Sequence, residues 1–208
     1  MSAALRQIAP APRRPLPGHQ PRVTFYDLPA ELRIEIYKLA LEGVVIHVLP
    51  LNTVEERKIP HPLTRASRQV RNEVLPMIHS MCPIRCSITD FCFDGLLAWM
   101  HRIPPDEQSK LLKNENLRIH FHTTGNNAPR GLDSLRKWLH DRADPCRPQP
   151  KWSYQGATPP SKICADLRRR AKRMRESGKQ AELYAILKAL SIPCTPEREA
   201  RVRTANTS

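Results

Sequence analysis

Residues 28–41 read LPAELRIEIYKLAL, and this stretch determines how the fold begins. Pro29 suits the first turn of a helix, where its missing N–H costs no hydrogen bond. Glu31 favours the same end of the helix, because the helix dipole is positive there. The stretch therefore predicts a helix that ends before Gly43.

The predicted helix is apolar on two sides. At about 100° per residue, one stripe of four side chains falls within an arc of about 80°: Leu28, Leu32, Ile36 and Leu39. A second apolar patch on the other side consists of Ile34, Tyr37 and Leu41. A helix of this kind either lies in the middle of its own core or is shared between that core and a partner.

Strand and helix signals alternate through the rest of the chain. β-branched or alternating apolar residues predict strands at 44–49, 84–88 and 117–121. Helical spacing of apolar residues predicts helices at 63–77, 94–100, 132–141, 161–176 and 179–190. Pro76 should kink or interrupt the first of these helices. The sum is an α+β fold, in which helices pack on a few strands and a helical, basic C-terminal extension follows.

The formal net charge of +14 is concentrated in the two ends of the 208-residue chain. The first 26 residues contain four arginines and no acidic residue, and residues 161–208 contain twelve basic and five acidic residues. The middle is therefore close to neutral, unlike a fold that spreads basic charge over its surface to hold nucleic acid. Composition predicts a disordered proline-rich lead-in (1–24), the α+β domain (25–143), a proline-rich connection (144–160), the basic helical extension (161–192) and a disordered tail (193–208).

Location and redox state follow from what the sequence lacks. No stretch approaches the roughly 18 to 20 apolar residues of a membrane span, and residues 1–17 contain no apolar core of a secretory signal. We therefore expect a protein of the nucleus or cytoplasm, with no membrane partner. Its six cysteines are expected to be reduced thiols.

Two segments carry a resemblance to a known family. Residues 28–39, LPAELRIEIYKL, resemble the opening L-P-x-E-L-x-x-x-I-x-x-L of F-box domains. Residues 63–76, LTRASRQVRNEVLP, are similar to the second segment of a class of small ascomycete (fungal) proteins that are described as F-box-like. Both matches fall within residues 25–80, although residues 42–62 separate them more widely than the helices of an F-box are separated.

The resemblance implies an adaptor. An F-box docks on the Skp-type linker subunit of an SCF (cullin–RING) ubiquitin ligase, while the rest of its chain holds a substrate protein. The positions that match the motif, and that would contact the linker subunit, are Leu28, Pro29, Leu32, Ile36 and Leu39. Such a surface is an amphipathic helix that offers apolar anchors to a groove. The alternative is that all of these side chains belong to the core of the chain itself.

The densest basic run is LRRRAKRMR at residues 167–175. Its charged residues are Arg168, Arg169, Arg170, Lys172, Arg173 and Arg175. The apolar residues Ile163, Leu167, Ala171 and Met174 share one narrow arc, which predicts an amphipathic helix with a broad basic side. Three interpretations remain open: a nuclear import signal, a patch for nucleic acid or an acidic partner, and a solvated face. The second would make the chain a nuclear protein that binds nucleic acid through this helix.

Catalytic and metal-binding patterns are not found. The chain contains no GxSxG, HExxH, P-loop or GxGxxG motif. His79, Cys82 and Cys86 do not have the paired spacing of structural zinc ligands, so buried thiols and an ordinary histidine are the simpler interpretation. We therefore expect a protein–protein interaction module with no catalytic residue, metal or cofactor, and with an unidentified substrate protein as its second partner.

Overall fold

The computed structural model describes residues 24–49, 61–124 and 129–194. A short 3-10 turn, Phe25–Asp27, opens the described chain. The helices are α1 (Ala30–Leu41), α2 (Leu63–Ala66), α3 (Arg68–Met81), α4 (Asp94–Arg102), α5 (Pro105–Leu111), α6 (Pro129–Arg142), α7 (Ser161–Arg173) and α8 (Ser177–Ala189). The strands are β1 (Ile46–Val48), β2 (Ile84–Thr89), β3 (Leu117–His122) and β4 (Trp152–Gly156). The predicted combination of helices with a small sheet is confirmed.

The four strands form one sheet in the order β1-β2-β3-β4, and every neighbouring pair is parallel. Alternation places Ile84, Cys86 and Ile88 of β2 in the core, while Arg85 and the residues that alternate with it are exposed. The same pattern runs through β3. Parallel sheets are usually covered on both faces. This sheet instead packs its apolar face on the helices and leaves its polar face exposed.

The larger of two cores lies between the apolar face of the sheet and helices α4 to α8. At its centre Trp138 of α6 stacks on Phe93, with ring centroids 4.9 Å apart, and meets Trp152 of β4 edge-on. Leu167 of α7 and Leu183 of α8 are fully buried in the same core. Helices α7 and α8, which the sequence predicts as a basic helical extension, pack into this core through their buried side chains.

The smaller core joins α1 to α3. Its buried members are Tyr37, Leu41, Val70, Val74, Ile78 and Cys82. Ile46 of β1 packs against both cores, which links the α1–α3 pair to the sheet. Most of the side chains of α1 contribute nothing to either core.

Two expectations from the sequence are corrected, and one helix is additional to those that it predicts. Residues 144–160 include strand β4, because Trp152 and Tyr154 pair with β3 and turn their rings towards the helices. Helix α3 continues through Pro76, so the proline does not interrupt it, and buried residues on both sides of the proline belong to the smaller core. Helix α5, which the sequence analysis did not predict, begins at Pro105, a residue suited to the first helical position.

Candidate functional site

The inner side of α1 is fixed to α3 by a cluster of polar side chains around Glu73. Arg33 donates from Nη2 to Glu73 Oε1 (2.9 Å) and from Nε to Glu73 Oε2 (3.2 Å), a two-point contact. Tyr37 Oη donates to Glu73 Oε2 (2.9 Å), and Gln69 Nε2 donates to Glu73 Oε1 (3.1 Å). These four residues, which we call the Glu73 cluster, attach α1 to α3 at the edge of the smaller core.

The charges of the Glu73 cluster shift its ionisation in the expected directions. Hydrogen bonds from Arg33, opposed by partial burial, lower the pKa of Glu73 to about 2. Burial, followed by the hydrogen bond to Glu73, raises the pKa of Tyr37 to about 12. At neutral pH Glu73 is therefore a carboxylate and Tyr37 is a neutral phenol, so the phenol can donate its hydrogen bond to the carboxylate.

The start of α3 is also held by residues of the second recognised segment. Ser67 precedes the helix and its Oγ accepts from the Val70 N–H at 3.1 Å, which satisfies one free donor of the first turn. The same Oγ accepts from Tyr26 Oη at 2.7 Å. Arg71 Nε donates to the Thr64 carbonyl at 2.6 Å. The polar positions of both segments thus have a structural role in joining the helices.

The outer side of α1 carries the residues that match the F-box motif. Leu32, Ile36 and Leu39 are 51%, 43% and 71% exposed, respectively. Pro29 is exposed and Leu28 is half-buried at the start of the helix. We call these five residues the outer face of α1. Because its three helical leucine and isoleucine side chains are exposed, the alternative that they form the core is wrong.

The apolar surface continues beyond α1. Leu39 and Met81, which is 43% exposed at the end of α3, line one hollow of about 350 Å³. Glu35 and Lys38 border the same hollow and pair with one another at 2.6 Å. The outer face therefore extends from Pro29 to the junction of α1 and α3, with charged side chains only at its margin.

The basic run occupies α7 and the turn after it. Ile163, Leu167 and Ala171 are buried, as the sequence predicts for this helix. Five of the six basic residues are exposed and Arg168 is half-buried. Four of them line a groove between α6, α7 and α8: Arg169, Arg170, Arg173 and Arg175. No residue of α1 lines this groove, so the two predicted sites are separate surfaces.

The three residues that the sequence offers as possible metal ligands, His79, Cys82 and Cys86, are all buried. His79 Nδ1 lies 2.7 Å from Glu107 Oε2, and burial is the main cause of its lowered pKa. Cys82 and Cys86 are buried, and burial raises the pKa of Cys86 to about 12. Within residues 24–49, 61–124 and 129–194, no group of three His, Cys, Asp or Glu side chains is arranged to hold a metal ion. Over the same residues, no helix has the length and apolar character needed to cross a membrane.

Sequence reasoning missed the Glu73 cluster. Its signal lies in the polar residues of the two segments, Arg33 and Tyr37 in the first and Gln69 and Glu73 in the second. Periodicity of apolar residues is insensitive to such positions, because a polar residue on a helix is expected to face water. Arg33 and Tyr37 are spaced i and i+4, as are Gln69 and Glu73, so each pair lies on one side of its helix.

Comparison with known proteins does not assign this chain to a family. The chain matches no protein-family model, no curated protein and no solved structure. The F-box-like resemblance therefore stays a prediction.

Proposed function

We propose that this chain is a protein–protein interaction module, and that the outer face of α1 docks on the Skp-type linker subunit of an SCF ubiquitin ligase. The observation that carries the proposal is the exposure of Leu32, Ile36 and Leu39 on a helix whose opposite side is fixed. Contiguous apolar surface of this kind is characteristic of interaction sites.

The spacing of the three side chains suits a helix that lies in a groove. Leu32, Ile36 and Leu39 occupy positions i, i+4 and i+7, so they project along one side of the helix. The Glu73 cluster already fixes the backbone of α1, so little conformational entropy remains to be lost on binding. A rigid helix with aligned apolar anchors is what such a partner requires.

The structure also brings the two recognised segments together. Residues 42–62 separate them along the chain, yet Arg33 of the first segment bonds to Glu73 of the second. The wide spacing in sequence is therefore compatible with a compact arrangement of α1 and α3. This supports the proposal that α1 is presented to a partner as a supported helix.

The test is a binding experiment between the purified chain and a purified Skp-type linker subunit. We expect the wild type to bind, and Ile36→Asp/Leu39→Asp to bind at least about 100-fold more weakly, because each buried anchor contributes about 1–3 kcal/mol. Leu28 is left unchanged because its side chain is half-buried, so a charge there would affect folding as well as binding. Isothermal titration calorimetry measures both affinities.

The matched control is Ile34→Asp on the same helix. Ile34 is 40% exposed, but it lies about 160° around the helix from Ile36. We expect this variant to bind like the wild type, and circular dichroism should show that all three proteins are folded. Absence of binding by the folded wild type, or an equal loss in the control, would contradict the proposal.

A further inference from the structure

A basic groove lies on a different part of the surface, between α6, α7 and α8. It has a volume of about 520 Å³. Its apolar floor is formed by Leu132, Leu135, Leu139, Met174 and Leu183. Of these, Leu132 and Met174 are only partly buried, so they offer apolar surface to a ligand. The groove combines this floor with a charged rim.

The rim of the basic groove has an excess of positive charge. Its basic side chains are Arg136, Arg169, Arg170, Arg173, Arg175 and Lys179, and its acidic ones are Asp133, Asp166 and Glu176. Two of the acids are already paired, Asp166 with Arg170 at 2.9 Å and Glu176 with Lys179 at 2.7 Å.

The remaining arginines of the rim lack such partners. In the part of the chain that the structure describes, no acidic side chain pairs with Arg136, Arg169, Arg173 or Arg175. Helix α6 supplies one of these arginines, α7 supplies two and the turn after α7 supplies the fourth. The four arginines therefore surround the groove from two sides and are available to a ligand.

We propose that the basic groove binds an acidic, amphipathic peptide segment of a partner protein. Carboxylates of the peptide would pair with Arg169 and Arg173, whose planar guanidinium groups can donate two parallel hydrogen bonds to one carboxylate. One or two apolar side chains of the peptide would pack on Leu132 and Met174. This binding site does not depend on the linker-subunit proposal, because the groove and the outer face of α1 share no residue.

Charge and shape favour a peptide over a nucleic acid. Among the described residues that line the groove none is aromatic, so these residues offer no ring on which an unpaired base could stack. The partly exposed Leu132 and Met174 offer a contact that a phosphate backbone cannot use but an apolar side chain can.

The experiment uses fluorescence anisotropy with the full chain and three labelled probes of equal charge. The probes are a peptide in which Asp and Glu alternate with Leu and Phe, a polyglutamate peptide, and a single-stranded oligonucleotide. We expect the amphipathic peptide to bind most tightly and to retain part of its affinity at about 0.5 M salt, because salt screens the charges and leaves the apolar contact. Polyglutamate should bind more weakly and lose its affinity in the same salt.

Two double variants of α7 test whether binding depends on the arginines of the groove or on positive charge in general. Arg169→Glu/Arg173→Glu should weaken binding of the amphipathic peptide by about tenfold or more. The matched control, Lys162→Glu/Lys172→Glu, changes the net charge equally at exposed positions outside the groove. It should retain the wild-type affinity within about twofold. Arg175→Glu, in the exposed turn after α7, supplies a second groove variant if the first does not fold.

The proposal is overturned by any of four results. The wild type binds none of the peptides at low salt, or it binds polyglutamate as tightly as the amphipathic peptide. The control loses as much affinity as the groove variant. The oligonucleotide binds more tightly than either peptide with a steep salt dependence, which would instead favour nucleic-acid binding by α7.

Discussion

Helices α1 and α7 distribute the same kinds of residue in opposite ways. Helix α7 buries its apolar stripe, Ile163, Leu167 and Ala171, and exposes its basic residues. Helix α1 leaves Leu32, Ile36 and Leu39 exposed and directs Arg33 and Tyr37 towards α3. The first arrangement is explained by folding alone. The second exposes apolar surface that folding does not require, and the proposed docking of a partner rests on this difference.

The largest change in stability is expected when a charged side chain is placed on the buried side of α7. Leu167 is fully buried, so Leu167→Asp should cost more than about 4 kcal/mol of unfolding free energy, because it leaves both a cavity and an unpaired charge in the larger core. Leu39→Asp changes an exposed side chain and should stay within about 0.5 kcal/mol of the wild type. Urea denaturation measures both. A cost above about 2 kcal/mol for Leu39→Asp would show that the outer face of α1 is structural after all.

A middle-sized effect is expected when the Glu73 cluster is broken. Glu73→Ala removes the acceptor of Arg33 and Tyr37 and should cost about 2–3 kcal/mol, because both donors are left partly buried without a partner. The control is Glu35→Ala, which breaks the exposed pair with Lys38 and should cost less than about 0.5 kcal/mol. Equal effects in the two variants, measured by urea denaturation, would mean that the cluster does not hold α1.

The smallest effect is the pH dependence of stability that Glu73 confers. Its pKa is lowered from 4.5 to about 2 in the folded chain. The unfolded state therefore takes up this proton first as the pH falls, and the stabilisation is complete above about pH 4.5 and lost towards pH 2. The difference in urea midpoint between the wild type and Glu73→Gln should shrink between pH 5 and pH 3. A difference in midpoint that stays constant between pH 5 and pH 3 would contradict the lowered pKa of Glu73.

Local pattern is enough to predict much of the fold. Helices α7 and α8 and strands β2 and β3 follow from apolar spacing, because each buries one regular face. Helix α1 also follows from apolar spacing, although the stripe that predicts it is exposed. Strand β4 is different, since it follows a stretch, residues 145–150, that contains several prolines, and it pairs with β3 from a distant part of the chain. Such long-range pairing leaves little local signal.

The candidate site could also be predicted only in part from local sequence. The stripe of Leu32, Ile36 and Leu39 is visible in the sequence, but whether it is core or surface depends on what α3 covers. That choice is made by Arg33 and Glu73, which are 40 residues apart in the chain. The basic groove could not be predicted either, because it needs Arg136 of α6 beside Arg169 and Arg173 of α7.

The order of the strands has a consequence for synthesis of the chain on the ribosome. Strands β1 to β4 pair in the order in which they are made, so no strand has to wait for a later one to be inserted beside it. The smaller core is complete once Cys82 has been made. We therefore expect α1 and α3 to associate while β3 and β4 are still being translated, so that folding proceeds from the N-terminal end.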